Sequence, residues 1–334
     1  MVARMSTQVL DLINDRRPQV VAFLFRVNGS LGGRLASLTL VFALALLLAL
    51  WQGAKPLPPS AWQQLGLLSD SPALRLVAQR DAAALQDLFD QRGYTLARLS
   101  GGAAVPRLAV ARLPRDIDDL TDSVDRKALF LRSLLPLVLQ ANAEIARIRG
   151  KVAAALDARA AGRLGAVDSL WLEQVAAWYG ADPENAADIL RRIDQVPPSL
   201  ALAQAAQESG WGRSRFARDA NALFGQRTWG EGQPGLAPKD ADQDNFRVRA
   251  FPDLMSGVRA YLHNLNSHRA YEDLRERRAR ARAVGTAASS LDLAGSLTSY
   301  SEEGAAYVAA LRELITSNDL RTLDGLRLER LRGS

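Results

Sequence analysis

The sequence predicts a mainly α-helical body carried behind one membrane-spanning helix. Residues Leu35 to Ala54 form an uncharged run of 20, and at about 1.5 Å per residue a helix of that length matches a bilayer core of roughly 30 Å. Beyond it, apolar residues recur at helical spacing in segment after segment, with no fixed-period repeat. The 334 residues, 48% apolar and with a net charge of +6 (42 basic, 36 acidic), are enough for one large or two modest domains.

Before the span stand Arg4, Arg16, Arg17, Arg26 and Arg34 against Asp11 and Asp15, which puts the amino terminus inside and the rest of the chain outside the cytoplasmic membrane. Signal cleavage at Gln52-Gly53-Ala54 is the competing reading. Gln at −3 and the Lys55-Pro56 that follows disfavour it, so an uncleaved anchor is expected. Lys55 to Pro59 is a stiff proline-rich spacer. Ser71-Pro72 with Leu74, Val77, Leu85, Leu88 and Phe89 predicts a helix ending by Gly93, and Leu108 to Leu113 a short strand. Lys127 to Arg149 predicts a buried helix kinked at Pro136, since its uncharged core is too short to span a membrane. Asp182-Pro183-Glu184 predicts a helix from Pro183 to about Ile193. Two later stripes, Leu254/Val258/Tyr261/Leu262/Leu265 and Val308/Leu311/Ile315, predict two more.

Composition narrows the chemistry. There is no cysteine, and the two histidines, His263 and His268, would point about 140° apart on a helix. A thiol nucleophile, a cysteine or histidine metal site and a Ser-His-Asp triad are thereby disfavoured. The chain has only four lysines, Lys55, Lys127, Lys151 and Lys239, and none completes an S-x-x-K pattern. Carboxylates, tyrosines and backbone remain. Gly230-x-Gly232-x-x-Gly235 has the spacing of a dinucleotide loop but lacks a strand before it and a helix after it, so it reads as a loop. Arg275, Arg277, Arg278, Arg280 and Arg282 read as a solvated helix face. If that face binds anything, anionic wall polymer or lipid headgroups are expected, and nucleic acid is not expected outside the cytoplasm.

The candidate catalytic residue is Glu208. Ser199, after two prolines, can open a helix and Gly210 can close it, which places Glu208 in the last turn. The negative end of the helix dipole there opposes a carboxylate, and Trp211, Phe216 and Phe224 can desolvate it. A carboxyl group that keeps its proton toward neutrality is what a general acid for glycosidic cleavage requires.

Gln207 to Gln226, reading QESGWGRSRFARDANALFGQ, resembles the glucosaminidase domain of family 73 glycoside hydrolases, with its N-x-L-F-G element, and in particular their membrane-linked Bax-type branch. Arg126–Leu139, Tyr261–His268 and Tyr300–Val308 add to the likeness, which spans Val105 to Leu320. The resemblance implies a mainly α, lysozyme-like α+β domain with a small extended lobe, acting on peptidoglycan glycan strands after N-acetylglucosamine without metal or organic cofactor. It implies Glu208 as general acid and Asn221 to Gly225 as cleft wall. Tyr300 and Tyr307 match the tyrosines of the family's Y-A-T-D-P-x-Y segment, although the Asp-Pro is missing and they stand seven apart. Trp211 and Tyr261 become candidate sugar platforms and Asn264 and Asn266 cleft polars. The second carboxylate is expected in the extended lobe, where Glu231 leads Asp240, Asp242 and Asp244. The implied organisation is a cytoplasmic leader (1–34), anchor (35–54), spacer (55–60), helical membrane-proximal region (61–165), glucosaminidase domain (166–320) and tail (321–334). A lytic transglycosylase, or a non-catalytic wall-binding scaffold, stays open as an alternative.

Overall fold

The computed structural model describes residues 73–78, 81–229, 234–237 and 246–330. The expected anchor, the spacer and Glu231 lie outside the described residues.

The first element is not the helix expected at Ser71. Residues Arg75–Leu76 form β1, parallel to β2 (Leu108–Ala109). The helix starts later, as α1 (Ala82–Gln91), because Asp81 caps it by accepting the amide of Ala84. Thr95 caps α2 (Leu96–Ser100) in the same way.

The long helix α3, Ser123–Ala160, is the axis of the body. It is long and apolar enough to cross a membrane, but 89% of its most apolar stretch is buried inside the protein, so α3 is a core helix as expected. The helix continues through Pro136. A proline has no amide proton for the carbonyl four residues earlier, and that carbonyl, of Arg132, accepts the hydroxyl of buried Tyr94 at 3.0 Å instead.

Helix α4 (Ala166–Tyr179) ends on left-handed Gly180. The next helix is shorter than expected: Asp182-Pro183-Glu184 makes a turn, and α5 is Ala186–Arg192, capped by Asn185. Helix α6 (Pro198–Ser209) is buried on nearly every side and packs against α3, α10 (Ser290–Ala294), α11 (Ala305–Ser317) and the 3-10 turn Leu320–Leu323. Ser199 is not its cap. Its amide (2.8 Å) and hydroxyl (2.7 Å) both donate to Asp324, a carboxylate brought in from far along the chain.

Helix α7 (Arg215–Ala220) leads into a three-stranded antiparallel sheet of order β3–β5–β4, with β3 Arg227–Trp229, β4 Gly235–Leu236 and β5 Phe246–Arg249. This is the small extended lobe. Strand β3 does precede the glycine motif, contrary to expectation; Gly230 and Gly232 lie outside the described residues, Gly235 belongs to β4, and the next described element is that strand rather than a helix. Helix α8 (Leu254–Ser267) buries the whole expected stripe from Leu254 to Leu265.

Among the described residues the main hydrophobic core draws on residues from Ala82 to Leu326, with a small second cluster of Ala220, Ala222 and Val248 at the sheet. The region before residue 166 and the domain after it are packed together, and Leu323 and Leu326 of the expected tail are part of that core. The fold is mainly helical with a small β lobe.

The arginine run corrects the expectation of a solvated face. On α9 (Glu272–Ala283), Arg275 and Arg278 are 1% and 4% exposed. Arg278 donates to the carbonyls of Arg191 and Arg192 at the end of α5 (3.1 and 3.3 Å). Arg275 donates to Leu265 and His268 at the end of α8 (3.1 and 2.8 Å). Helix ends leave unpaired carbonyls and a negative dipole end, and these arginines satisfy both. Exposed Arg280 pairs with Glu276.

Candidate active site

Helix α6 stops sharply and leaves Glu208 at its edge. Gly210 takes φ 57° and ψ 46°, the left-handed conformation that glycine adopts most readily. The Ser209 hydroxyl donates to Ala205 O (2.6 Å) and accepts the amide of Gly212 (2.9 Å), which fixes the turn that follows.

The half-buried Glu208 faces tyrosines. One helical turn before it, Gln204 is fully buried: its Oε1 accepts the Tyr261 hydroxyl at 2.6 Å and its Nε2 donates to the Tyr307 hydroxyl at 3.0 Å. A hydroxyl that accepts from an amide has its own proton to give elsewhere, and Tyr307 is hydrogen-bonded to the Glu208 carboxylate. The chain Tyr261 → Gln204 → Tyr307 → Glu208 therefore has one polarity, with every donor pointing toward the carboxylate. Tyr300 stacks on Tyr307 (centroids 5.5 Å apart, rings 9° apart) and donates to Phe224 O at 2.9 Å.

Burial, more than any neighbour, raises the Glu208 pKa. The Tyr307 hydrogen bond pulls it down, and the charge of Glu303 pushes it up again. The end of the helix dipole, the reason anticipated from sequence, is not needed to explain the direction. Burial likewise raises Tyr307, with Glu208 the next cause, so Tyr307 remains a neutral donor. On the open side is Gly225, exposed and at φ 62°, where an added Cβ would come within 3.2 Å of Glu208 Oε2. Backbone without a side chain leaves the carboxyl accessible.

The structure brings Glu208, Tyr300 and Tyr307 together, but it changes the standing of the other candidates. Phe224 and Tyr261 are buried and stacked on each other (3.9 Å, 6°), so neither presents a face to a sugar. Asn221, also buried, caps α7 in the left-handed conformation and donates to Phe251 O at 2.9 Å. Trp211 packs edge-on against Phe130 with Lys127 Nζ 5.0 Å from its ring. Asn266 is buried and donates to Asp194 O, whereas half-buried Asn264 bonds Tyr271, whose ring is 6.0 Å from that of Tyr300. Gly225 was expected in the cleft wall; Gln204, Tyr271 and Glu303 were missed. Gln204 alone had a signal, the four-residue spacing that places it on the Glu208 face of the helix. A cavity of about 900 Å³, lined by Arg107, Asn142, Pro197, Arg278 and Asp324 among others, opens at the other end of α6 and is no part of this site.

A largely helical body with a small sheet, and a carboxyl whose pKa burial raises beside an exposed glycine, fit a glycoside hydrolase. The family model described as glucosaminidase (mannosyl-glycoprotein endo-beta-N-acetylglucosaminidase) matches residues 184–320. Protein bax of Escherichia coli (strain K12) is 30% identical over 200 residues, covering 58% of this chain and 69% of that protein. The catalytic domain of the autolysin Auto from Listeria monocytogenes aligns over 64% of this chain and 97% of its own at 18% identity, with a TM-score of 0.34. The chain belongs to the glucosaminidase family, and so to the glycoside hydrolases.

Proposed function

We propose that the protein is a peptidoglycan hydrolase, an endo-β-N-acetylglucosaminidase that cuts the glycan strand after N-acetylglucosamine. Glu208 acts as general acid. The observation that carries this reading is the half-buried Glu208 carboxyl, raised by burial and placed at the receiving end of a polarised hydrogen-bond chain. Protonated Glu208 gives its proton to the glycosidic oxygen as the bond to the anomeric carbon breaks. Tyr307, already donating, then steadies the carboxylate that is left. The exposed backbone at Gly225 admits the sugar, and half-buried Tyr300 borders it. The arginine-flanked span at residues 35–54 supports anchorage in the inner membrane, amino terminus inside, with the enzyme on the outer side where its substrate is.

The full-length protein in detergent, incubated with purified sacculi, should release fragments with new N-acetylglucosamine reducing ends, read by mass spectrometry. Anhydro-muramic ends would move the assignment to a lytic transglycosylase. Binding without release would favour a scaffold.

A further inference from the structure

The cavity at the start of α6 is more cationic than its own acids can balance. Its walls carry four arginines, Arg107, Arg278, Arg282 and Arg327, against two aspartates, Asp194 and Asp324. Both aspartates are already engaged. Arg282 Nε donates to Asp194 at 2.6 Å, and Asp324 accepts the amide and the hydroxyl of Ser199 at 2.8 and 2.7 Å. The arginines are not all matched. Arg278, 4% exposed, gives Nη1 to Asp194 O and Nη2 to Arg191 O (3.0 and 3.1 Å), but its buried Nε has no hydrogen bond and lies 3.9 Å from the Asp194 carboxylate. Burial pulls its pKa down to about 10; the charge of Asp194 opposes this, and those of Arg275, Arg149 and Arg282 add to it. Arg327 is exposed, and among the described residues its side chain has no hydrogen bond or ion pair. A buried donor without an acceptor, in a positive surrounding, is what a bound anion would satisfy.

The same walls set the size and character of the rest of the ligand. A volume of about 900 Å³ is at the upper end of the roughly 300–1,000 Å³ of small-ligand sites. Leu139, Ala143, Val196 and Leu326 make part of the lining apolar, so a bare phosphate or sulfate would leave most of it uncovered. From this geometry we propose that the cavity binds a short peptide through a free carboxylate held by Arg278 and Arg327, the chemistry of a peptidoglycan stem peptide. A carboxylate between guanidinium groups makes charge-assisted hydrogen bonds, and the apolar wall covers the small side chains of the peptide. Pro198, which lines the cavity, is ten residues from Glu208, about 15 Å along α6. The site therefore holds the enzyme to the wall without touching the reacting groups.

The choice of peptide rests on peptidoglycan being the substrate, so binding and hydrolysis are measured separately on the full-length protein in detergent. The probe is the stem tetrapeptide of peptidoglycan, titrated calorimetrically beside the same peptide with its carboxylates amidated. Wild type should bind the free peptide at least about tenfold more tightly than the amidated one. Arg327→Ala should weaken binding by about tenfold, and Arg327→Lys, which keeps the charge, by less. Gly325 lines the cavity with no atom within 4 Å of an added Cβ, so Gly325→Trp should abolish binding by filling the space, at an unchanged melting temperature. On sacculi, Arg327→Ala and Gly325→Trp should raise KM and leave kcat as it is. On sacculi stripped of their peptides by an amidase, both should match wild type. No binding of the tetrapeptide, equal binding of the amidated form, or binding that survives Gly325→Trp would overturn the proposal. Displacement of the peptide by an equal concentration of inorganic phosphate would overturn it as well, since a plain anion site would then be present. Each of these results leaves the hydrolase assignment standing while wild type still releases N-acetylglucosamine ends. Absence of that release would overturn the hydrolase assignment, with the peptide titration still deciding the cavity.

Discussion

Asp194 lies just before α6 and Glu208 in its last turn, and their surroundings are opposite. Asp194, 2% exposed, sits among arginines: Arg282 Nε donates to it at 2.6 Å, and Arg149 Nη1 and Arg278 Nε lie 3.9 Å away. No cation is among the causes acting on Glu208; its neighbours are tyrosines and a second carboxylate. The first arrangement surrounds a carboxylate with cations and fastens α5 and α9 to the start of α6. The second raises the carboxyl pKa by burial with no cation to oppose it. Burial is common to both, so the presence or absence of counter-charge separates the structural acid from the one proposed to be catalytic.

Removing the counter-charge relation should have the largest effect on stability. Asp194→Ala leaves three arginines with no anion between them. Breaking a buried pair in this way costs about 3–5 kcal/mol, which urea denaturation will show as a lower midpoint, while the folded fraction keeps its specific activity. A loss under about 1 kcal/mol would place the cluster with ordinary surface pairs and weaken the contrast.

A smaller loss tests the other side. Gln204→Leu deprives the Tyr261 and Tyr307 hydroxyls of their partner, at a cost of about 1–3 kcal/mol. If the chain orders Tyr307 for catalysis, kcat should fall about tenfold as well. A lower melting temperature with unchanged kcat would make it a structural network only.

The contrast extends to a base. His263, packed 4.3 Å from the Trp178 ring, is held down to about 4 from 6.5, first by burial. Between those two values the unfolded chain binds the proton and the folded one does not, so stability is lost as pH falls from about 6.5 to 4. The linkage is worth up to about 3 kcal/mol. Acid melts of His263→Gln should be flatter than those of wild type over that range; parallel curves would show that His263 does not titrate out of place.

Sequence pattern served best where local chemistry decides. Gly210 located the end of α6, and with it Glu208. The stripe on α8 also indicated that Tyr261 is buried, a better guide than its family likeness as a sugar platform. What escaped depends on contacts distant in sequence. The cap of α6 comes from Asp324, β1 exists because Leu108 and Ala109 pair with it, and the arginines of α9 are buried because the ends of α5 and α8 meet them. Glu303 carried no local signal, being one of two adjacent exposed glutamates.

The most direct measurement is Glu208→Gln, assayed for sacculus hydrolysis and thermal melting on the same preparation across pH. The folded pKa of Glu208 lies above its unfolded 4.5, so the wild type loses stability as pH rises from 4.5 through the folded value, and the glutamine variant does not. At neutral pH the variant should therefore melt no lower than wild type, and its advantage should vanish in acid, while activity falls at least about a hundredfold. Activity within about tenfold of wild type would contradict the assignment of Glu208 as the acid.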